Sequence, residues 1–459
     1  MRLVVDSPAV RHVEQTWPEF GRDPRHLRFG LASDGVSPYG VKSLSHSTWP
    51  VVLTNYNVLP WLASKKGFLL LSLIIPGPKK VKNINIYLKP LVEELQQLWT
   101  GVDDVYDGRM ERIGRDRWFT VKGVLLWTMH DYPGFAQVSG FQTSGYATCP
   151  TCGPALLVVR SSHLSKQVYM SYSTYLPLDD PLRGTGAEQN TVEPPILLDM
   201  NWCAQRWRDV EAGHIPIERA GLKRWSILHR LPYWKLQDLL IQHLLDPMHI
   251  EANVTKSLIK RIFGEKDGKP ARRACEEFGV HLEAWIQVSD GGIESLPPAP
   301  WILTTEERKI CRQRISEIRF PTSFGSCLRK AFEKDGAKWP AALKSHDYHI
   351  LLQYVLPIVL QGLGSQDLRN AIYDLLALMR WIYWLERYMN VMKDDVRQKA
   401  KPEGSMAEGH RLREAMFLCS NILEQLDPRS GFMLREEEET HLTSLKLIGF
   451  GREETVDSD

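Results

Sequence analysis

The chain has 459 residues, with 57 Lys and Arg against 55 Asp and Glu and a net charge of +2 with His neutral. At 43% hydrophobic and 24% charged residues it can bury a sizeable core, which excludes wholesale disorder, and its length allows two or three domains. The near-neutral balance leaves any basic surface local. Seven scattered Cys, of which only Cys149 and Cys152 are close neighbours, exclude a secreted disulfide framework.

Residues 1–8 lack the apolar core of a secretory signal. The longest apolar runs, 68–76 and 351–360, fall far short of the roughly 20 residues that span a bilayer, so no membrane insertion is expected. Residues 264–269 have glycines and lysines without the phosphate-loop spacing, so ATP hydrolysis is not indicated.

Residues 27–33 alternate in bulk and predict a strand that stops at the turn formers Asp34-Gly35-Val36-Ser37-Pro38, which puts Asp34 at a strand end. Two further β-rich runs, 49–57 and 68–75, are each closed by Pro or Gly. The period then changes: Ile86, Leu88, Leu91, Leu95 and Leu98 predict an amphipathic helix over 84–99. Residues 119–129 return to strand types and end at His130-Asp131-Tyr132-Pro133, where Pro133 blocks continuation and Asp131 marks a second strand end.

Residues 140–225 are rich in Ser, Gly and Pro, contain Cys149-Pro150-Thr151-Cys152, and read as an inserted subdomain. Asp246 as N-cap and Pro247 at the first helical position start a helix that runs to about 263, with Ile250, Val254, Leu258 and Ile262 as its apolar stripe. From about 266 the chain is mostly helical, with strong periodicity over 368–399, a further candidate over 404–426 and an acidic run at 435–439.

The order is strand, strand, strand, helix, strand, excursion, helix, with an acid after the first and fourth strands and another early in the last helix. That is the layout of an RNase H-like nuclease core, an α/β fold with a mixed sheet in which neighbouring strand ends bring two carboxylates together and a helix supplies a third. The expected organisation is a leader over 1–25, a core over 26–265 that includes the insertion at 140–225, and a helical region with an acidic tail over 266–459. The candidate acids are Asp34, Asp131 and Glu251.

Such a set suits phosphodiester chemistry, which needs an activated water and neutralisation of charge at phosphorus. Two Mg²⁺ (or Mn²⁺) ions about 3.5–4 Å apart supply both, held by a few hard oxygen ligands. Each acid also has a plainer reading. Asp34 and Asp131 stand beside Gly and Pro as ordinary turn formers, and a Glu in a first helical turn is favoured by the helix dipole. Asp246 is a rival third acid, accounted for by its capping position.

The chain resembles the transposases of plant CACTA (En/Spm-type) DNA transposons. The resemblance rests on Asp34-Gly35-Val36-Ser37-Pro38-Tyr39-Gly40, Ser47-Thr48-Trp49-Pro50-Val51-Val52-Leu53, Tyr56-Asn57-Val58-Leu59-Pro60-Trp61, Ile75-Pro76-Gly77-Pro78 and Tyr87-Leu88-Lys89-Pro90-Leu91-Val92-Glu93-Glu94-Leu95. It continues through Asp131-Tyr132-Pro133, Cys149-Pro150-Thr151-Cys152, Leu231-Pro232-Tyr233-Trp234, Leu245-Asp246-Pro247-Met248-His249-Ile250-Glu251 and Lys344-Ser345-His346-Asp347, covering roughly residues 26–365.

The resemblance implies a DDE/D transposase that cuts transposon ends and joins the freed 3′ hydroxyl to target DNA in the nucleus, with self-association or a companion element-encoded protein. It implies Asp34, Asp131 and Glu251 as the catalytic, Mg²⁺-holding acids. It also implies a Gly-His-Arg-Arg-like block after the cysteine pair, where this chain has Met170-Ser171-Tyr172-Ser173, and a Lys before Asn253, where it has Ala252. These departures remove a potential metal-binding His and cations that a DNA-binding surface would use, and fit a decaying, catalytically inactive copy that binds DNA or protein without cutting.

Cys149 and Cys152 supply half of a tetrahedral Zn²⁺ site, with His163, His249 and Cys203 as candidates to close it, or else a structural turn with free thiols. Lys79, Lys80 and Lys82, and Lys256, Lys260 and Arg261 beyond Glu251, suit either phosphate contact or a solvated surface. Ser345-His346-Asp347 is no hydrolase triad, because three successive side chains diverge.

Overall fold

Ser7 opens the first helix, α1 (Pro8–Thr16), by accepting the Val10 N–H, with Pro8 at the first position where no N–H is needed. A short α2 (Pro18–Arg22) follows, then β1 (Leu27–Ser33), buried from Arg28 onward. Arg28 is tolerated inside because its guanidinium donates to Glu14 at 2.6 Å and to the His26 carbonyl at 2.9 Å.

The structure is a computed structural model that describes residues 4–37, 47–58, 69–79, 81–107, 117–145, 148, 158–169, 178, 200–234, 239, 242–265, 267–279, 281–319, 328, 343, 345–378, 403–408 and 410–411. The chain forms two units, Met1–Asp34 with Val81–Trp384, and Gly35–Lys80 with Leu385–Asp459.

In the second unit, β2 (Trp49–Asn55) pairs antiparallel with β3 (Leu69–Ile75), from Trp49 opposite Ile75 to Thr54 opposite Leu69. β2 is buried along almost its whole length, as its Val-rich run requires. Gly35 sits where a Cβ would lie 2.7 Å from Ser47 Oγ and 2.9 Å from the Trp49 ring, so only glycine fits at that turn.

The first unit resumes with α3 (Asn85–Thr100), which buries Leu88, Leu91, Val92 and Leu95 and ends at Gly101. Ile86, expected in its stripe, is 69% exposed in the first turn. The run expected as one strand over 119–129 is two: β4 (Val102–Tyr106) pairs with β5 (Trp118–Val121) in a separate hairpin, and β6 (Gly123–His130) begins after Lys122. A Cβ on Gly123 would lie 2.5 Å from Leu98 Cδ2, so glycine is what lets α3 pack on the start of β6.

All eight residues of β6 are buried, and β6 runs parallel to β1 from Leu27 opposite Gly123 to Ala32 opposite Met129. Asp131 caps α4 (Tyr132–Ser139), which ends at Gly140 in the left-handed region. A hairpin, β7 (Val158–Ser161) with β8 (Lys166–Tyr169), and helices α5 (Met200–Glu211) and α6 (Ile217–Ala220) lie in the excursion. Cys149 and Cys152 fall outside the described residues. The strand β9 (His243–Leu245) then pairs parallel with Thr128–His130 on β6, and α7 (Pro247–Ile262) follows at once.

Beyond it, α8 (Lys269–Glu277), a minor hairpin of β10 (Gln287–Val288) and β11 (Glu294–Ser295), α9 (Thr305–Glu317), α10 (Ser345–Ile350), a π-helical turn at Leu351–Val355, α11 (Leu356–Val359) and α12 (Gln366–Leu378) complete the unit. Their core includes Ile259, Ile262, Leu303, Cys311, Ile315, Leu351 and Val359, so α7 belongs to this helical body as well as to the sheet end. Each fully buried Leu or Ile contributes about 1.5–3 kcal/mol. The helix expected over 368–399 is described as far as Leu378. Among the described residues no helix is long and apolar enough to cross a membrane. The fold is mixed α/β.

Candidate functional site

Parallel strands finish on the same side of a sheet, and the chain leaving each strand is free to carry chemistry there. The register of β1 with β6 pairs Ala32 with Met129, and that of β6 with β9 pairs His130 with Leu245. Asp34, Asp131 and Asp246 are therefore the first residues beyond three neighbouring parallel strands.

Two of these aspartates double as helix caps. Asp131 Oδ1 accepts the Gly134 N–H at 2.7 Å, and Asp246 Oδ1 accepts the Met248 N–H at 2.9 Å. Capping occupies one carboxylate oxygen of each. The other oxygen of Asp246 accepts from His249 Nδ1 at 2.7 Å, one turn further along α7.

His249 reports the electrostatics of this edge. Its pKa is raised to about 9, chiefly by the hydrogen bond to Asp246, against the opposing effect of burial, with further contributions from the charges of Asp246, Asp34 and Asp131. One imidazolium thus feels all three carboxylates and stays charged at neutral pH.

His130 is the last residue of β6, immediately before Asp131. It is fully buried, and burial pushes its pKa down to about 4. Its Nδ1 donates to the Ser33 carbonyl at 2.9 Å, and its own carbonyl accepts the Asp246 N–H at 2.6 Å. Neighbouring His243, pushed well below its usual value by burial, bonds Thr128 Oγ1 at 2.7 Å.

Glu251 takes another environment. It is 2% exposed, its oxygens lie 3.0 and 3.1 Å from His349 Nδ1 on α10, and it accepts from Gln353 Nε2 at 3.1 Å in the π-helical turn. The buried face of α7 is Met248, Glu251, Thr255, Ile259 and Ile262. The stripe expected from Ile250 and Val254 is therefore displaced, because partners on α10 let a glutamate and a threonine turn inward. Lys256 and Arg261 are exposed on the same helix.

Among the described residues no group of three or more His, Cys, Asp or Glu stands close enough to hold a metal ion. The strand-edge donors are hard carboxylate oxygens, the kind that Mg²⁺ prefers, and all three carboxylates act electrostatically on His249.

Sequence reasoning passed over His130 and placed Asp246 behind Glu251 as a rival third acid, because its capping position accounts for it. Both stood beside residues it named. A His next to a strand-end Asp, and a His three residues after a capping Asp, were the available signals.

Residues 1–199 match the family model described as transposase family tnp2. The N-terminal part of the chain is similar to transposases. That match spans β1 to β8, including Asp34 and Asp131, and supports a transposase-derived protein. Residues 376–436 match a domain of unknown function, DUF4218. No curated protein matches the chain.

Proposed function

We propose that this chain is the core of a CACTA-type DNA transposase with an RNase H-like fold, cutting transposon-end DNA and transferring the freed strand. The carrying observation is the placement of Asp34, Asp131 and Asp246 after three adjacent parallel strands, two of them inside the transposase-family match.

Asp34 and Asp131 are the first two metal-holding acids of this reading. Asp246 is the third, because it shares their edge and their shared influence on His249. Glu251, the acid implied by the family resemblance, lies on the same helix and would have to leave His349 and Gln353 to join them. Two bound Mg²⁺ ions, or Mn²⁺, would supply the activated water and the charge neutralisation at phosphorus. The capping bonds hold Asp131 and Asp246 in fixed orientation, and His249 Nδ1 holds a proton against Asp246 Oδ2. Partners in this reading are element ends, target DNA and a second transposase subunit or companion protein, in the nucleus, with Cys149 and Cys152 as a zinc pair.

The second reading is a transposase-derived binding protein that no longer cuts. It is favoured by the carboxylates that stand short of a closed metal set and by the missing Gly-His-Arg-Arg-like block. Incubating terminal-repeat DNA with Mg²⁺ and the full chain separates the two. Cleavage that Asp34→Asn abolishes supports the first, and a gel shift without cleavage supports the second.

A further inference from the structure

We propose that His130 is a positioning residue that fixes the separation of the three strand-edge aspartates, an inference that rests on reading those aspartates as the metal-holding set. It reaches all three strand ends, by one side-chain bond beside Asp34 and by its own backbone at Asp131 and Asp246. Its side chain donates from Nδ1 to the Ser33 carbonyl, one residue before Asp34, at 2.9 Å. It is covalently joined to Asp131. Its carbonyl accepts the Asp246 N–H at 2.6 Å. Strand ends fray where the ladder stops, and here a single buried residue ties the last positions of β1, β6 and β9 together.

A carbonyl only accepts, so the hydrogen of the neutral ring sits on Nδ1. Space beside this bond is restricted: a Cβ on Gly134 would meet His130 Cβ at 3.3 Å and the Ser33 oxygen at 3.4 Å. Stability alone does not account for a histidine here. Its Nε2 is buried without a partner among the described residues, a cost that an apolar side chain in the same place would avoid. What the imidazole adds is one directed bond across two strands, at the level from which the acids project.

Three variants of the full chain test this. His130→Asn keeps an N–H near the position of Nδ1, His130→Gln places its amide near Nε2 instead, and His130→Leu keeps only bulk. Mn²⁺ binding is measured by titration calorimetry, with near-ultraviolet circular dichroism to select conditions where every variant is folded. The expected result is affinity within about threefold of the parent for His130→Asn and at least about tenfold weaker for His130→Gln and His130→Leu, the range set by outer-shell partners of metal ligands. Equal affinities across the three, or a His130→Asn as weak as His130→Leu, would overturn the proposal.

If the parent chain binds no Mn²⁺, the metal-holding reading fails by itself. The role of His130 is then read from hydrogen exchange at the Asp246 amide. Faster exchange in His130→Gln and His130→Leu but not in His130→Asn supports the tie, and uniform rates refute it.

Discussion

His249 Nδ1 sits 2.7 Å from Asp246 Oδ2, so the residue that caps α7 also holds a cation one turn into the same helix. The pairing places a positive charge where Asp34 and Asp131 add their own fields. A group whose folded pKa is raised stabilises the fold below its unfolded pKa and loses that contribution as pH rises through the folded value. With His249 raised from 6.5 to about 9, stability from this source is complete below about pH 6.5 and gone above about pH 9. Urea unfolding between pH 6 and 10 is expected to show this decline, and His249→Ala is expected to remove it.

The separate aspartates are resolved by the His249 titration itself. Followed by NMR, its pKa is expected to fall most in Asp246→Asn, which removes both the hydrogen bond and the nearest charge. Asp34→Asn and Asp131→Asn are expected to lower it by smaller steps. No change in either would place their carboxylates away from this imidazole.

Glu251 and His349 are bonded across 98 residues of sequence, and Gln353 also donates to Glu251. Removing His349 leaves a buried carboxylate short of its partner, and the expected cost of His349→Ala is about 3 kcal/mol in denaturant unfolding. Replacing Glu251 by Leu at the same time is expected to recover much of it, since the uncompensated charge is then gone. Equal losses in the single and double variants would contradict a direct pairing.

A Cβ on Gly134 would lie 2.7 Å from Asp131 Oδ1. Gly134→Ala is therefore expected to push the carboxylate off its cap and cost about 1 kcal/mol of stability, a typical capping contribution. Thermal unfolding checks this, with Gly291→Ala as a control at a position where a Cβ meets nothing within 4 Å.

The strand ends at Asp34 and Asp131 were legible because β1 and β6 are long, apolar and punctuated by Gly or Pro. The start of α7 was legible for the same kind of reason: Asp246-Pro247 is a cap written in two residues. The position of Asp246 beside Asp131 was not. It depends on β9, three residues too short to show any alternation, finding its register on β6. The inward turn of Glu251 was equally hidden, because it depends on His349 and Gln353 in a distant helix. The break between β5 and β6 needed the packing of Leu98 on Gly123, which no local pattern announces.

Mn²⁺ titration of the parent chain against Asp34→Asn, Asp131→Asn, Asp246→Asn and Glu251→Gln reads the claim that the strand-edge aspartates act as one cation-holding set. The account predicts binding weakened at least about tenfold by each aspartate variant and changed by less than about threefold in Glu251→Gln. Aspartate variants that bind like the parent, or loss confined to Glu251→Gln, would contradict it.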